Sequence, residues 1–474
     1  MSAGSEYRQA LAIASELASA IAHALVVRDA EPAGLETDRF GCSTGRREAS
    51  PVGMTITEKI LARASGRQAV EAGEIVKVKV DLVMGHDVTL PLSILEFENM
   101  GAPCVYDREK VVAVCDHFAP AANNAAAERI KMLRDFAREQ GLAHYFEAGS
   151  GRSGVCHALL PEEGLILPGS VVLGADSHTT TYGALGAFAT GMGSTDIAAA
   201  MALGETWLRV PQSLRLYYKG ELGRWVSGKD LILHTLGRLG VGGAIYQAME
   251  FCGPTIDALG MSDRFTMCNM AVEAGAKNGI IAPDAETEQY LLERTFQDYE
   301  ALSSDRDATY AAKFEFACEE LQPQVAFPFS PDNVRPVRDA GDVVIDAAMI
   351  GSCTNGRLED LRLAADILRG RQVARGVRLI VIPATQKTYL QALKEGLLEV
   401  FVAAGGAVST PTCGPCFGGH MGVLAAGERA VSTTNRNFVG RMGHAESEVY
   451  LASPAVAAAS AVVGRLVHPA EVAE

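Results

Sequence analysis

From about residue 54 onward, short apolar runs alternate with stretches in which apolar residues recur every three or four positions. The runs at 111–115, 171–173, 343–345 and 377–382 predict strands buried on both faces, where side chains have no reason to alternate in polarity. The helical pattern is clearest over 357–369, which puts Leu358, Leu361, Ala365 and Leu368 on one face and has Gly370 as a stop. Strands and helices in alternation predict an α/β fold in layers, with largely parallel sheets. Thr55-Ile56-Thr57-Glu58 has the spacing of a capping box in front of Ile60 and Leu61, so the first helix of this body begins there.

Residues 1–53 have a different character. The apolar stretch 10–27 is interrupted by Glu16 and His23, which argues for an Ala-rich amphipathic helix and against a membrane span. A polar run through Glu31-Pro32-Ala33-Gly34 to Gly53 then has the composition of a linker. We expect an N-terminal extension, with Met54 a candidate start of translation. The body is expected to divide into 54–210, 211–335 and 336–474, with a soft boundary near Pro211 and a Pro-rich linker over 323–336.

Composition narrows the function. A chain of 474 residues that is 48% hydrophobic can bury a large core. Its net charge of −15 disfavours a nucleic-acid partner or an anionic membrane surface, and an acidic substrate would need arginines of its own. Ten cysteines are too few for a disulfide-stapled secreted fold, and no signal-peptide pattern opens the chain, so a reducing cytoplasm is the expected compartment.

Cys413-Gly-Pro-Cys416 lies in a loop rich in proline and glycine, which disfavours a redox dithiol opening a helix. Cys353, in Gly351-Ser-Cys-Thr-Asn-Gly356, follows the apolar run to Ile350 and so belongs at a strand end, where ligand sites of α/β sheets collect. Three thiolates are one short of the shell of a cubane cluster, which would leave one iron open. Structural zinc with His420 as fourth ligand fits the spacing equally well. Asp116-His117 and Asp176-Ser177-His178 also follow predicted strands, and a carboxylate beside an imidazole suits a proton donor; His157 is a third candidate. Arg436 and Arg441 offer two forks for substrate carboxylates. The glycines of 183–193 match no nucleotide-binding spacing and are expected to serve close packing.

In order along the chain, VCDHFAPA (114–121), GVCHALLPEEGL (154–165), GADSHTTTYGALGAFATGMGSTD (174–196), TMCNMAVEAGA (266–276), GSCTNG (351–356), TCGPCFGG (412–419) and NRNFVGRMG (435–443) resemble the aconitase superfamily. Within it the resemblance is to the large subunits of 3-isopropylmalate dehydratases. It implies an aconitase-like arrangement of three α/β/α domains, with one 4Fe-4S cluster in the cleft on Cys353, Cys413 and Cys416 and one iron lacking a protein ligand. Asp116 and His117 look like the pair that protonates the leaving hydroxyl, Asp176 and His178 the residues that manage hydroxyl and water, and Glu273 the partner of the cluster-side histidine. His157 matches a further active-site imidazole, Ser177 and His86 substrate contacts, Asn269 and Asn435 cluster-side hydrogen-bonders, and Arg436 and Arg441 carboxylate clamps.

The implied reaction is dehydration and rehydration of a small hydroxy di- or tricarboxylic acid. Isopropylmalate is the first choice of substrate, ahead of homoaconitate, citramalate and dimethylmalate. The family's serine base lies in a Gly-Ser-Ser-Arg segment of a mobile swivel domain, and this chain has no such segment, so a separate small subunit is expected to supply it. A cluster-sensing RNA-binding protein is the alternative of another class, disfavoured by the acidic charge. A protein beginning at Met54 is expected to keep the melting temperature and activity of the full chain, as thermal unfolding and assay would show.

Overall fold

The computed structural model describes residues 53–473. The expected N-terminal helix and its linker over 1–52 lie outside them. At the start of the body Thr55 and Glu58 form the expected capping box: the Thr55 hydroxyl accepts from the Glu58 backbone N–H, and the Glu58 carboxylate accepts from the Thr55 N–H at 2.8 Å. The helix Ile56–Ala64 follows and buries Ile60 and Leu61.

Three sheets carry the molecule. The first is wholly parallel, in the order β4 (His144–Glu147), β3 (Val111–Cys115), β2 (Leu82–His86), β5 (Val171–Gly174), β6 (Phe188–Gly191). The second, also parallel, runs β10 (Asn278–Ile280), β9 (Ala248–Cys252), β8 (Ser213–Lys219), β11 (Ala312–Ala317). The third runs β13 (Val334–Pro336), β12 (Gln324–Ala326), β18 (Glu448–Ala452), β17 (Arg429–Ser432), β14 (Ala347–Ile350), β15 (Arg378–Val381), β16 (Ala407–Val408). Only its β13–β12–β18 edge is antiparallel. A small antiparallel pair, β1 (Ile75–Lys79) and β7 (Glu205–Arg209), completes the strands among the described residues.

The strands that matter for the site, β2, β3, β5 and β14, are buried at every position, as covered parallel strands must be. One continuous apolar core joins all three sheets, through residues such as Val114, Leu216 and Leu451. Among the described residues no helix is long and apolar enough to cross a membrane.

Two expectations need correction. Residues 343–345 do not form a strand: Val344 is 56% exposed, and the segment's backbone pairing is a single bridge to Arg465, although Ile345 is buried in the core. The strand begins at Ala347, just after Asp346, whose carboxylate accepts from the Arg429 N–H. The Pro-rich run 323–336 is not bare linker either, since it contains β12 and β13. Pro336 is tolerated because it closes an edge strand, where a missing N–H costs no ladder bond. The helix predicted over 357–369 is found as Leu358–Leu368, capped by Arg357 and Arg369.

Of the glycines of 183–193, Gly183, Gly186 and Gly191 serve close packing, whereas Gly193 has room for a side chain. A Cβ on Gly183 would overlap the Gly279 carbonyl oxygen of β10, and one on Gly191 would come within 2.6 Å of the Asp176 carbonyl. The 3-10 turn Ser177–Leu185, which carries Ser177 and His178, can therefore press directly onto the second sheet. Gly183→Ala should lower the unfolding free energy by about 1–3 kcal/mol, the cost of overpacking, measured by denaturant titration.

Candidate active site

Parallel sheets place chemistry at the carboxyl ends of their strands, and two sheets do so here. From the first come Asp87 after β2, Asp116 after β3 and Asp176 after β5; from the third come Cys353 after β14, Cys413 and Cys416 after β16, and Asn435 and Arg436 after β17. The helix Met261–Met270 and the 3-10 turn Ala271–Ala274, packed on the second sheet, add Asn269 and Glu273. The loops are stitched together by backbone: the Cys413 N–H donates to the Asp116 carbonyl at 2.8 Å, and the Val155 N–H to the Ala384 carbonyl at 2.8 Å.

Asp116 and His117 are paired through Oδ1 and Nδ1 at 2.6 Å, while Asp116 Oδ2 accepts from the Cys156 N–H at 2.7 Å. Burial opposes a charged imidazole, but the Asp116 carboxylate outweighs it and raises the His117 pKa to about 9. Burial likewise works against the Asp116 carboxylate, and His117 overcomes it, lowering the acid to about 2. The pairing thus favours the protonated form of His117. The His86 ring stacks on His117, with centroids 3.9 Å apart, and Asp87 accepts the backbone N–H groups of His117 and Phe118 at 3.0 and 2.8 Å. Asp87 was not foreseen. Its signal was legible, because Met84-Gly-His-Asp87 puts an acid and a histidine at a strand end just as Asp116-His117 does.

Asp176 is the hub of a second group. Its Oδ1 meets His157 Nε2 at 2.7 Å and the His178 N–H at 2.7 Å, and its Oδ2 meets His86 Nε2 at 3.1 Å. Against the cost of burial these partners hold its carboxyl well below the usual range. His178 Nε2 lies 2.8 Å from Glu273 Oε1, and Glu273 in turn accepts from Arg436 Nε at 2.8 and 3.0 Å. Burial and Arg436 push the His178 pKa down, but Asp176 and Glu273 prevail and raise it. His157 is pushed below its ordinary value, chiefly by burial. His86 is 1% exposed and engaged through both ring nitrogens, Nδ1 accepting from the Val88 N–H, so it supports Asp176 and His117 within the protein. Ser177 is more open and lines, with Asp176, a cavity of about 600 Å³.

The three cysteines are 3–4% exposed. The amide nitrogens of Asn269 and Asn435 point at Cys353 Sγ from 3.2 and 3.3 Å, as donors to a thiolate would. Among the described residues the ligand atoms of His86, Asp87, Asp116 and His117 are the only such group within 4.8 Å of one another. His420 is no fourth ligand: its Nε2 meets the Pro120 carbonyl at 3.0 Å and its Nδ1 the Thr412 hydroxyl at 3.4 Å. Three buried thiols, with amide donors beside Cys353, are a donor set that fits an iron–sulfur cluster. Around it two arginines are under-used: Arg436 spends only Nε on Glu273, and Arg441 Nε is buried without a partner.

A model of the aconitase family (aconitate hydratase) matches residues 58–343 and 338–464. The chain belongs to the aconitase family. The 3-isopropylmalate dehydratase large subunit of Moorella thermoacetica is 61% identical over 421 residues, 89% of this chain and 100% of the relative. The proteins of the same name from Heliobacterium modesticaldum and Thermodesulfovibrio yellowstonii are each 59% identical, over 89% of this chain and 100% and 99% of their own length. Membership of the aconitase family implies an iron–sulfur cluster, and the name large subunit implies that those relatives work with a separate small one.

Because its folded value lies above the ordinary 6.5, the charged His117 stabilises the fold fully below pH 6.5 and loses that contribution as pH rises through about 9. If His117 donates a proton, activity should fall through the same range. Asp116→Asn removes the charge that raises it, so the alkaline limb of the rate profile should move from about 9 toward 6.5. A pH–rate profile of both proteins measures this.

Proposed function

We propose that this chain is the large, cluster-bearing subunit of a 3-isopropylmalate dehydratase, a cytoplasmic hydro-lyase that interconverts 2- and 3-isopropylmalate by loss and return of water in leucine biosynthesis. The observation that carries the reading is the meeting of three buried thiols with the Asp116–His117, Asp176 and His178–Glu273–Arg436 groups at strand ends of two sheets. Relatives of that name match over their whole length, which supports the choice of isopropylmalate over other hydroxy acids.

Cys353, Cys413 and Cys416 would hold one 4Fe-4S cluster. With three thiolates for four irons, one iron lacks a protein ligand, and the bound cluster supplies a Lewis acid there. The chain's own residues do the rest. His117, kept charged by Asp116, gives the proton with which the substrate hydroxyl departs as water. Asp176 and His178 orient that water, and Glu273 fixes the tautomer of His178. His157 buttresses Asp176, and Asn269 and Asn435 donate to Cys353. Arg436 and Arg441 clamp substrate carboxylates through the N–H groups they leave unspent, Ser177 is a further substrate contact, and His86 acts from behind by holding Asp176 and His117 in place. The base that removes the carbon-bound proton would come on the swivel domain of a separate small subunit, closing over a three-domain body divided near residues 210 and 335.

Co-production with candidate small subunits, anaerobic purification and dehydration assays on isopropylmalate and its homologues test the reading. Cluster-loaded protein inactive with every partner would overturn it. Cys413→Ser should lose iron, sulfide and activity together. Arg436→Lys should keep the cluster and raise KM about 10- to 100-fold, the worth of one charge-assisted hydrogen bond. Normal substrate binding by that variant would refute the clamp.

A further inference from the structure

Lys229 takes no part in the chemistry above, yet it is completely buried. It lies in the first turn of the helix Gly228–Leu239, fixed by a capping box between Ser227 and Asp230. Its Nζ donates to the Thr433 carbonyl at 2.9 Å and the Thr434 carbonyl at 2.6 Å. Those are the two residues directly before Asn435 and Arg436. Thr433 also exchanges hydrogen bonds with the backbone of Gly351, its hydroxyl accepting from the N–H at 2.9 Å and donating to the carbonyl at 3.0 Å, two residues before Cys353. Lys229 therefore grips the point where the end of β17 is tied to the Cys353 turn.

Both bonded acceptors are neutral, and a buried ammonium without counter-charge is expensive. Burial drives its pKa down to about 7 even against the charges that favour the ammonium, which are, first, Cys353 and Cys416, then Asp360 and Asp230. Burial pushes both of these carboxyls up, Asp360 to about 7 and Asp230 to about 6, which weakens them as counter-charges near neutral pH. Thiols that bind metal are deprotonated, so a loaded site has the negative charge that this lysine lacks.

We propose that Lys229 is a positioning residue of the cluster site: it fixes the Thr433–Thr434 backbone that presents Asn435 and Arg436, and its charge offsets the thiolates of Cys353 and Cys416. The inference rests on the reading of these cysteines as cluster ligands. Two variants separate its parts in the anaerobically prepared complex with the small subunit. Lys229→Met removes charge and donor; Lys229→Gln removes the charge but keeps an N–H donor.

With Lys229→Met we expect a cluster midpoint potential more negative than wild type, iron and sulfide lost in air roughly 10-fold faster or more, and KM raised by a similar factor. Lys229→Gln should recover KM in part and leave the potential low. Thermal unfolding monitors the fold, and if Lys229→Met does not fold, Lys229→Gln carries the potential measurement. A neutral variant with the wild-type potential overturns the inference alone. Wild-type protein that holds no iron and sulfide overturns the cluster reading and this inference together.

Discussion

Everything in the site is placed relative to the carboxylate of Asp176. Two imidazoles and one backbone N–H converge on its oxygens, and a carboxylate so surrounded stays ionised despite its burial. Through His86 it reaches the stacked ring of His117, and through His178 it reaches Glu273 and Arg436. Charges taken out of water must be paired, and this pairing fixes the orientation of each ring. The result is a preorganised set of donors that needs little rearrangement during a reaction.

The third sheet works under a different constraint. Its thiols are buried on loops after β14 and β16, where Cys353 faces the amide nitrogens of Asn269 and Asn435 and Cys416 faces the Asn435 amide oxygen. Thus the first sheet supplies the acid–histidine groups, the third supplies the thiols, and the second supplies the helices that link them through Asn269, Glu273 and Lys229. A continuous core beneath all three sheets keeps the two sets of loops in register.

Features encoded locally were the ones most legible in the sequence. The capping box at Thr55, the strand at 111–115 and the helix near 358–368 depend on neighbouring residues and were placed to within a residue. The run 343–345 misled because three apolar residues do not make a buried strand: Val344 is left exposed and only Ile345 enters the core. Strand ends pointed to the acid–histidine pairs, but not to which acid serves which ring: His178 is partnered by Glu273, 95 residues away, and Glu273 by Arg436, another 163 away. Spacing along the chain could not separate zinc from a cluster, because it does not report the distance between sulfurs. Lys229 left no signal, since a lysine in a helix reads as a solvent-facing residue until its burial is seen.

The hydrogen bond from the Cys413 N–H to the Asp116 carbonyl joins the cysteine loop to the peptide that carries the acid. Thr412 adds a second tie to the same carbonyl oxygen through its hydroxyl, at 2.9 Å. One oxygen atom is thus a shared anchor for the cysteine loop and the Asp116–His117 peptide. A shift of the loop must either break these two bonds or move the peptide that bears His117 with it. In mechanical terms the two halves of the site form a single lever, and wear on one side is felt on the other.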